Sequence, residues 1–391
     1  MYFRPCSANW DRKPGDPADY CYGEGNLQRF IIIFDSDSGD AGRYCYSPTS
    51  CASRARNLTS SAGLPFSSWV DGLLLPYPEV SPNLYKAHAA YIPYCTSDLY
   101  LGASPAGGGL PAFAGRAVFD AVWAALLART ATPRLIDADQ ILVVGPLGVV
   151  LRLGEVRAAL AGAAGAAGLP PPALFGLLDG GLLPSLPPFD AGAARCAGDG
   201  DCPPRTGLAA GAAAWGLSGA SAPAFLSSWC PAAAGGRPEE CLMDAPPTGA
   251  AARGLDTPLL LAMQQQDAAL LRALGAWPAA LTNGTPAAAW AQAQLAPALT
   301  AAAAPAPATF AAACAEPSAL AASPATFNLA VRRVDAYNHT QLHPLAVAVS
   351  TLLDDPLSAF GTFADNCKGA LCNAAACRVQ DEVAVDMAGK A

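Results

Sequence analysis

The chain has 391 residues, of which 52% are hydrophobic and 14% charged, and its formal net charge is −8. This length and apolar content allow one large core, so we expect a single domain over residues 1–391. The acidic balance and the lack of a Lys/Arg run argue against a nucleic-acid partner. No run of about 18 apolar residues rises above the alanine-rich background, so we expect no membrane span.

Thirteen cysteines indicate an oxidising compartment. Several form close pairs beside Gly, Asp, Asn or Pro, as in disulfide frameworks, and N-glycosylation triplets begin at Asn57, Asn283 and Asn338. Zinc is the competing interpretation of the cysteine-rich tail, residues 365–391, but C-x₂-C pairs and nearby histidines are missing there. We expect a secreted, disulfide-bonded protein without metal or cofactor, whose signal peptide is absent from this chain.

Apolar runs alternate with helical patterns along much of the chain. Five buried strands are predicted at 29–34, 89–95, 140–145, 172–179 and 257–263, with helices at 114–129 and 149–164. The alternation predicts an α/β fold with a mostly parallel sheet flanked by helices, whose chemistry lies at the carboxyl ends of the strands. Residues 190–256 are predicted as a disulfide-tied, cysteine-rich insertion or cap, and residues 297–325 as a helix or a low-complexity linker.

The loop after the first predicted strand carries Asp35, Asp37, Gly39 and Asp40. In a hydrolase this position places backbone N–H donors for an oxyanion. A solvated turn or a weak cation site is the alternative, although the spacing of an EF-hand loop is missing.

The turn after the third predicted strand is where a hydrolase of this class carries its nucleophile. Here the turn contains Gly145 and Pro146, followed by Leu147 and Gly148, and none of these side chains can attack a carbonyl. The sequence therefore predicts no nucleophile at the usual position.

Other serines and histidines offer weaker candidates. Ser60 and Ser61 lie in a sequence that resembles a nucleophile turn, but no apolar strand precedes them. His88 adjoins a predicted strand and is expected to be structural, which leaves His339 or His343 as a possible base. An esterase that uses Ser60 or Ser61 with His343 stays open as an alternative.

Several segments resemble the pectin acetylesterase/Notum carboxylesterase family over nearly the whole chain. The most specific is Tyr-Ile-Pro-Tyr-Cys-Thr-Ser-Asp-Leu-Tyr at 91–100, which is similar to an Ile-Pro-Tyr-Cys-Ser-Ser-Asp block of the family. Further matching segments lie at 40–51, 72–79, 113–115 and 365–377. The resemblance implies a secreted α/β-hydrolase with a Ser-Asp-His triad, which removes acetyl groups from pectin or a fatty acyl group from a signalling protein.

The resemblance also assigns roles to residues of this chain. It places the triad acid at Asp267 and the oxyanion-hole glycine at Gly42, with Arg43 where the family has tryptophan. The nucleophile loop falls at Gly145-Pro146, where about four residues are missing, and Pro317 stands where the family's histidine is expected. Two members of the triad are therefore expected to be absent.

Three functional hypotheses follow from this pattern. The first is a catalytically impaired family member, and the second is a non-catalytic secreted monomer that binds a polysaccharide or an acylated ligand. The third is an active O-deacetylase of cell-wall pectin whose nucleophile loop is lost in a faulty gene model.

Overall fold

The computed structural model describes the main elements of the chain. The described residues are 2–4, 28–35, 44–53, 84, 86–130, 133–179, 186–189, 204–217, 242, 257–264, 270–271, 274–276, 285–295, 297–298, 308–312, 330–334, 340–354 and 361–364.

An eight-stranded sheet, in the order β1-β3-β2-β4-β5-β6-β7-β10, forms the centre of the fold. The strands are β1 (Tyr2–Arg4), β2 (Arg29–Phe34), β3 (His88–Ile92), β4 (Gln140–Gly145), β5 (Ala173–Asp179), β6 (Leu259–Gln264), β7 (Ala308–Ala312), β8 (Ala330–Val334), β9 (Thr340–Pro344) and β10 (Gly361–Ala364). All neighbours in this sheet are parallel except β1, which pairs antiparallel with β3. The mostly parallel sheet predicted from the sequence is confirmed, and β8 and β9 form a separate antiparallel pair.

Helices cover both faces of the sheet. They are α1 (Pro48–Ser53), α2 (Gly115–Leu127), α3 (Leu147–Val150), α4 (Leu153–Ala166), α5 (Pro204–Ala214), α6 (Pro286–Trp290) and α7 (Leu345–Asp354), with a 3₁₀ turn at Leu135–Asp137 and a π-helical turn at Ala291–Leu295. The helices α2, α4 and α5 pack in one buried apolar cluster, and α7 packs in a second. The core residues of β2 alternate between the two clusters, as expected for a central strand with both faces covered.

The helix α2 has the amphipathic spacing that the sequence suggests. Phe119, Val122, Trp123 and Leu126 are buried, at intervals of three and four residues along one face. Phe119 also stacks on Phe34 at the end of β2, with ring centroids 5.2 Å apart. These contacts fix α2 against the carboxyl end of β2.

Two predicted elements differ clearly from the structure. The second strand ends at Ile92 instead of residue 95, because Pro93 has no N–H to donate to a strand ladder. The helix predicted at 149–164 consists of α3 and α4, which a turn at Leu151 and Arg152 separates.

Within residues 297–325, predicted as a helix or a low-complexity linker, the structure describes two helical residues at 297–298 and the strand β7, which the sequence did not predict. This alanine-rich strand pairs with β6 on one side and β10 on the other. Pairing with two distant strands outweighs the low strand propensity of alanine.

Within the described residues, no helix has the length and apolar character needed to cross a membrane.

Candidate active site

The strand order identifies the place where a ligand crevice is expected. From β2 the chain continues to β3 on one side, and β4 then pairs on the other side of β2. This is the topological switch point of the sheet, and ligands of open α/β sheets bind at the carboxyl ends of the strands there. The relevant ends are Phe34-Asp35 of β2 and Gly145 of β4.

The strand β4 leads directly into a helix through a one-residue turn, and we call residues 145–150 the elbow. Pro146 is extended (φ −70°, ψ 174°) and precedes α3, which begins at Leu147. Every residue of the elbow is buried. None has a side chain that could act as a nucleophile or general base, so the elbow supplies no attacking group at the switch point.

The elbow is also packed too closely to admit a larger side chain. A Cβ built on Gly145 would approach Val149 Cβ to 3.0 Å and Phe34 Cβ to 3.1 Å. A Cβ built on Gly148 would overlap the carbonyl oxygen of Leu99 and lie 2.7 Å from Leu101 Cγ. The switch point is therefore filled by the protein's own apolar side chains and by one backbone carbonyl.

The segment that covers the elbow is the Asp98 loop, residues 97–102. Ser97, Leu99 and Tyr100 have left-handed φ angles of 55°, 56° and 61°. Such angles are uncommon for residues with a Cβ and persist only where neighbouring contacts hold the backbone.

Asp98 supplies the central contact of this loop. Its carboxylate accepts hydrogen bonds from the N–H of Tyr100 (3.0 Å, Oδ1) and of Gly115 at the start of α2 (2.8 Å, Oδ2). A Cβ on either Gly102 or Gly115 would overlap this carboxylate. Glycine at both positions allows the backbone to enclose the acid completely.

Burial perturbs the ionisation of Asp98. Its side chain is inaccessible to solvent, and desolvation raises its pKa to about 6, against the opposing effect of the N–H donors of Gly115 and Tyr100. Burial also raises the pKa of the half-buried Cys95 thiol, and the nearby Asp98 carboxylate raises it further. Among the described cysteines, Cys95 is the free thiol.

A disulfide-closed segment lies beside the Asp98 loop. Cys45 and Cys51 are bonded, and the N–H of Cys45 donates to the carbonyl of Ser97 (2.9 Å). Trp215, just after α5, donates its indole N–H to the carbonyl of Cys45 (2.8 Å). The disulfide segment therefore connects the Asp98 loop to α5.

The comparisons with known proteins agree with this arrangement. Residues 17–171, less than half of the chain, match the family model described as pectinacetylesterase. Over this region the chain is similar to the pectin acetylesterase/Notum family of carboxylesterases. The matched region includes β2, β3, β4, the Asp98 loop and the elbow.

Two curated relatives match a shorter segment. The "inactive palmitoleoyl-protein carboxylesterase notum1b" of Danio rerio is 35% identical over 94 residues, which are 23% of this chain and 65% of that protein. The "palmitoleoyl-protein carboxylesterase NOTUM" of Mus musculus is 36% identical over 94 residues, 23% of this chain and 18% of that protein. The chain thus spans less than two thirds of the length of either relative.

A solved structure matches almost the whole fold. The Wnt deacylase Notum from Drosophila aligns with a TM-score of 0.66 at 20% identity, and the alignment covers 89% of this chain and 90% of that one. This match confirms the α/β-hydrolase-like fold.

Three positions to which the pectin acetylesterase/Notum resemblance assigns a role, Gly42, Asp267 and Pro317, lie outside the described residues. The other sequence candidates Ser60, Ser61 and His339 also lie outside them. The cysteine-rich tail and the cysteines of the 190–256 insertion lie outside them as well. Gly145 and Pro146 are described, and they form the turn between β4 and α3.

His88 and Asp35, two of the residues singled out in the sequence, are buried in the structure. His88 begins β3, is buried, and packs on Phe30 with ring centroids 4.8 Å apart. His343 lies in β9. The buried Asp35 carboxylate accepts a hydrogen bond from the hydroxyl of Tyr91 (2.7 Å), and the described residues contain no cluster of three or more metal-binding side chains.

Sequence reasoning recognised the segment around Asp98 as a family motif but not as a structural centre. The signal was an acid followed by glycines at 102 and 115, which allow close backbone approach. The local pattern does not reveal that this acid binds the start of α2.

Proposed function

We propose that this chain is a secreted, catalytically impaired member of the pectin acetylesterase/Notum family. The observation that carries the proposal is the elbow, where Gly145 and Pro146 occupy the strand-to-helix turn and no nucleophile is present. Removal of the nucleophile from a triad leaves only the residual catalysis of binding and the oxyanion hole.

The packing of the elbow supports the same conclusion independently. Residues 145–150 are buried, and Leu99 and Leu101 lie against Gly148. A carbonyl substrate must approach its nucleophile to about 3 Å, which a turn without space for one methyl group does not permit.

The sequence supports impairment at a second position, since Pro317 stands where the resemblance places the histidine base. Asp267 and Gly42 match the acid and the oxyanion-hole glycine, and neither can replace the missing nucleophile. One relative is named an inactive carboxylesterase, which is consistent with loss of activity within the family.

The remaining role is binding without turnover. We propose an acylated ligand or a polysaccharide as the partner, because these are the substrate classes that the family resemblance implies. Secretion as a disulfide-bonded glycoprotein is supported by the thirteen cysteines, the Cys45–Cys51 bond and the glycosylation triplets.

The alternative is an active O-deacetylase whose nucleophile loop is lost in a faulty gene model. The position of the gap, directly on the nucleophile, favours this alternative. Sequencing of the transcript across the codons for residues 144–149 decides between the two, because a serine-containing loop there would contradict impairment.

Hydrolysis assays test the proposal on the protein itself. Purified protein is incubated with p-nitrophenyl acetate and with acetylated pectin, and mouse NOTUM serves as an active comparison for the ester. We expect release of product at the rate of the buffer blank. Turnover that survives in a Ser60→Ala/Ser61→Ala double variant would contradict impairment, and turnover lost in that variant would instead support the alternative with His343.

A further inference from the structure

The Asp98 loop combines a strained backbone with a buried acid. Three of its residues, Ser97, Leu99 and Tyr100, have left-handed φ angles. Conformations of this kind cost free energy and are retained only when surrounding contacts determine them. Release of those contacts would let the backbone return to more favourable φ angles.

The contacts that hold the loop come from several elements. The Asp98 carboxylate binds the N–H of Gly115 on α2, the Tyr94 hydroxyl accepts from the N–H of Leu99 (2.9 Å), and the Tyr100 hydroxyl donates to the carbonyl of Asp35 (3.1 Å). Through the Cys45 N–H the disulfide segment also binds the loop. The closed position is therefore defined jointly by α2, β2 and the disulfide segment.

We propose that the Asp98 loop is a pH-dependent clasp, in which the charge state of Asp98 controls whether the loop stays closed over the elbow. In the closed state the Leu99 carbonyl and the Leu101 side chain lie against Gly148. Opening of the loop removes both groups from the elbow and exposes the switch point between β2 and β4. This regulation is separate from the proposed loss of catalysis.

The direction of the effect follows from the protonation of Asp98. In the closed loop its pKa is about 6, because burial disfavours the carboxylate, whereas a solvated Asp titrates near 3.9. The closed state thus binds a proton more tightly than the open state. Closure is favoured at low pH, and the opening equilibrium constant rises as pH increases, by about 50-fold between pH 4 and pH 7.

Among the described residues, few other titratable or charged groups lie near Asp98. On its own segment are Tyr94, Cys95 and Tyr100, and the pKa values of Cys95 and Tyr100 are raised, so both stay neutral. The α2 helix contributes Arg116, and residues 145–151 of the elbow side contain no titratable side chain. Asp35, directly after β2, accepts a hydrogen bond from Tyr91 of β3. Because Asp35 is a second buried carboxylate beside the loop, Asp35→Asn serves as the control variant.

Hydrogen–deuterium exchange read by mass spectrometry tests the clasp. Protection factors are measured at pH 4.5 and pH 7.5 for a peptide that spans residues 95–104 and for one that spans β4, in wild type, Asp98→Asn and Asp35→Asn. We expect loop protection to fall by tenfold or more at the higher pH in wild type and in Asp35→Asn. In Asp98→Asn, which cannot titrate, protection should be the same at both pH values.

Four results would overturn the proposal. The first is equal loop protection at both pH values in wild type, and the second is a pH dependence of loop protection that persists in Asp98→Asn. The third is loss of that pH dependence in Asp35→Asn. The fourth is a fall in protection of the β4 peptide as large as that of the loop peptide, which would indicate unfolding of the whole domain. None of these readouts depends on ester hydrolysis, so failure of the clasp leaves the proposed function untouched.

Discussion

Replacement of Gly148 by alanine tests directly whether the elbow is closed. Gly148 lies in α3 without a left-handed φ, so alanine fits its backbone and the effect is one of packing alone. The new methyl group would overlap the Leu99 carbonyl oxygen and press on Leu101. A backbone carbonyl cannot rotate away as a side chain can, so the cost lies at the upper end of the overpacking range, about 3 kcal/mol.

The helix α4 provides a matched control. Gly162 is an exposed interior position, and a Cβ built there meets nothing within 4 Å. Because alanine favours helix by about 1 kcal/mol over glycine, Gly162→Ala should raise the free energy of unfolding.

Chemical unfolding followed by circular dichroism measures both changes. We expect Gly148→Ala to lower the free energy of unfolding by about 2–3 kcal/mol, after allowance for the helix preference of alanine, while Gly162→Ala raises it. If Gly148→Ala were as stable as Gly162→Ala, the elbow would have unfilled space. The argument that no substrate can enter would then fail.

Three further predictions concern Asp98, Arg152 and Cys95. The pKa of Asp98 is raised to about 6, so the native state binds the proton more tightly than the unfolded state. Between pH 4 and pH 7 the free energy of unfolding of wild type should therefore fall by about 2 kcal/mol more than that of Asp98→Asn, and parallel curves of stability against pH would contradict this. Arg152, whose side chain is 6% exposed, forms an ion pair with Asp120 and lies 4.0 Å from the ring centroid of Phe119. Arg152→Ala should lower the free energy of unfolding by about 2 kcal/mol, less than for a fully buried pair because Asp120 is 55% exposed. A loss below about 0.5 kcal/mol in thermal or chemical unfolding would refute the pairing. Burial, and then the charge of Asp98, raise the pKa of the Cys95 thiol. The thiol should therefore react with a disulfide reagent more slowly in the folded protein than in the unfolded protein, and faster in Asp98→Asn than in wild type. Mass spectrometry of the Cys95 peptide measures these rates, and equal rates in all three samples would exclude this prediction.

The central sheet could be predicted because its signal is local. β2 and β4 are short apolar runs bounded by polar or glycine residues, and their predicted and observed limits coincide. The strand β7 could not be predicted from its local sequence in the same way. Its alanine-rich sequence is compatible with helix, and only the pairing with β6 and β10, distant in the chain, makes it a strand.

The candidate site could be predicted in part for a similar reason. The absence of a nucleophile at Gly145-Pro146 is visible in the letters of the sequence. The closure of the elbow is not, since it depends on Leu99 and Leu101, about 50 residues earlier in the chain, and on the left-handed backbone that brings them to Gly148. Non-local packing of this kind leaves no periodic pattern in the sequence.

We propose that the missing nucleophile and the closed elbow have one origin. The family resemblance implies that residues are missing between β4 and α3, which would remove the serine and also leave Pro146 as the only residue between the strand and the helix. A single substitution can therefore restore the chemical group but not the space around it. Pro146→Ser would place a hydroxyl within a fully buried turn, out of reach of an ester carbonyl. Under this proposal, activity would require a longer turn in addition to a nucleophile, so the transcript sequence across the elbow is more decisive than any point variant.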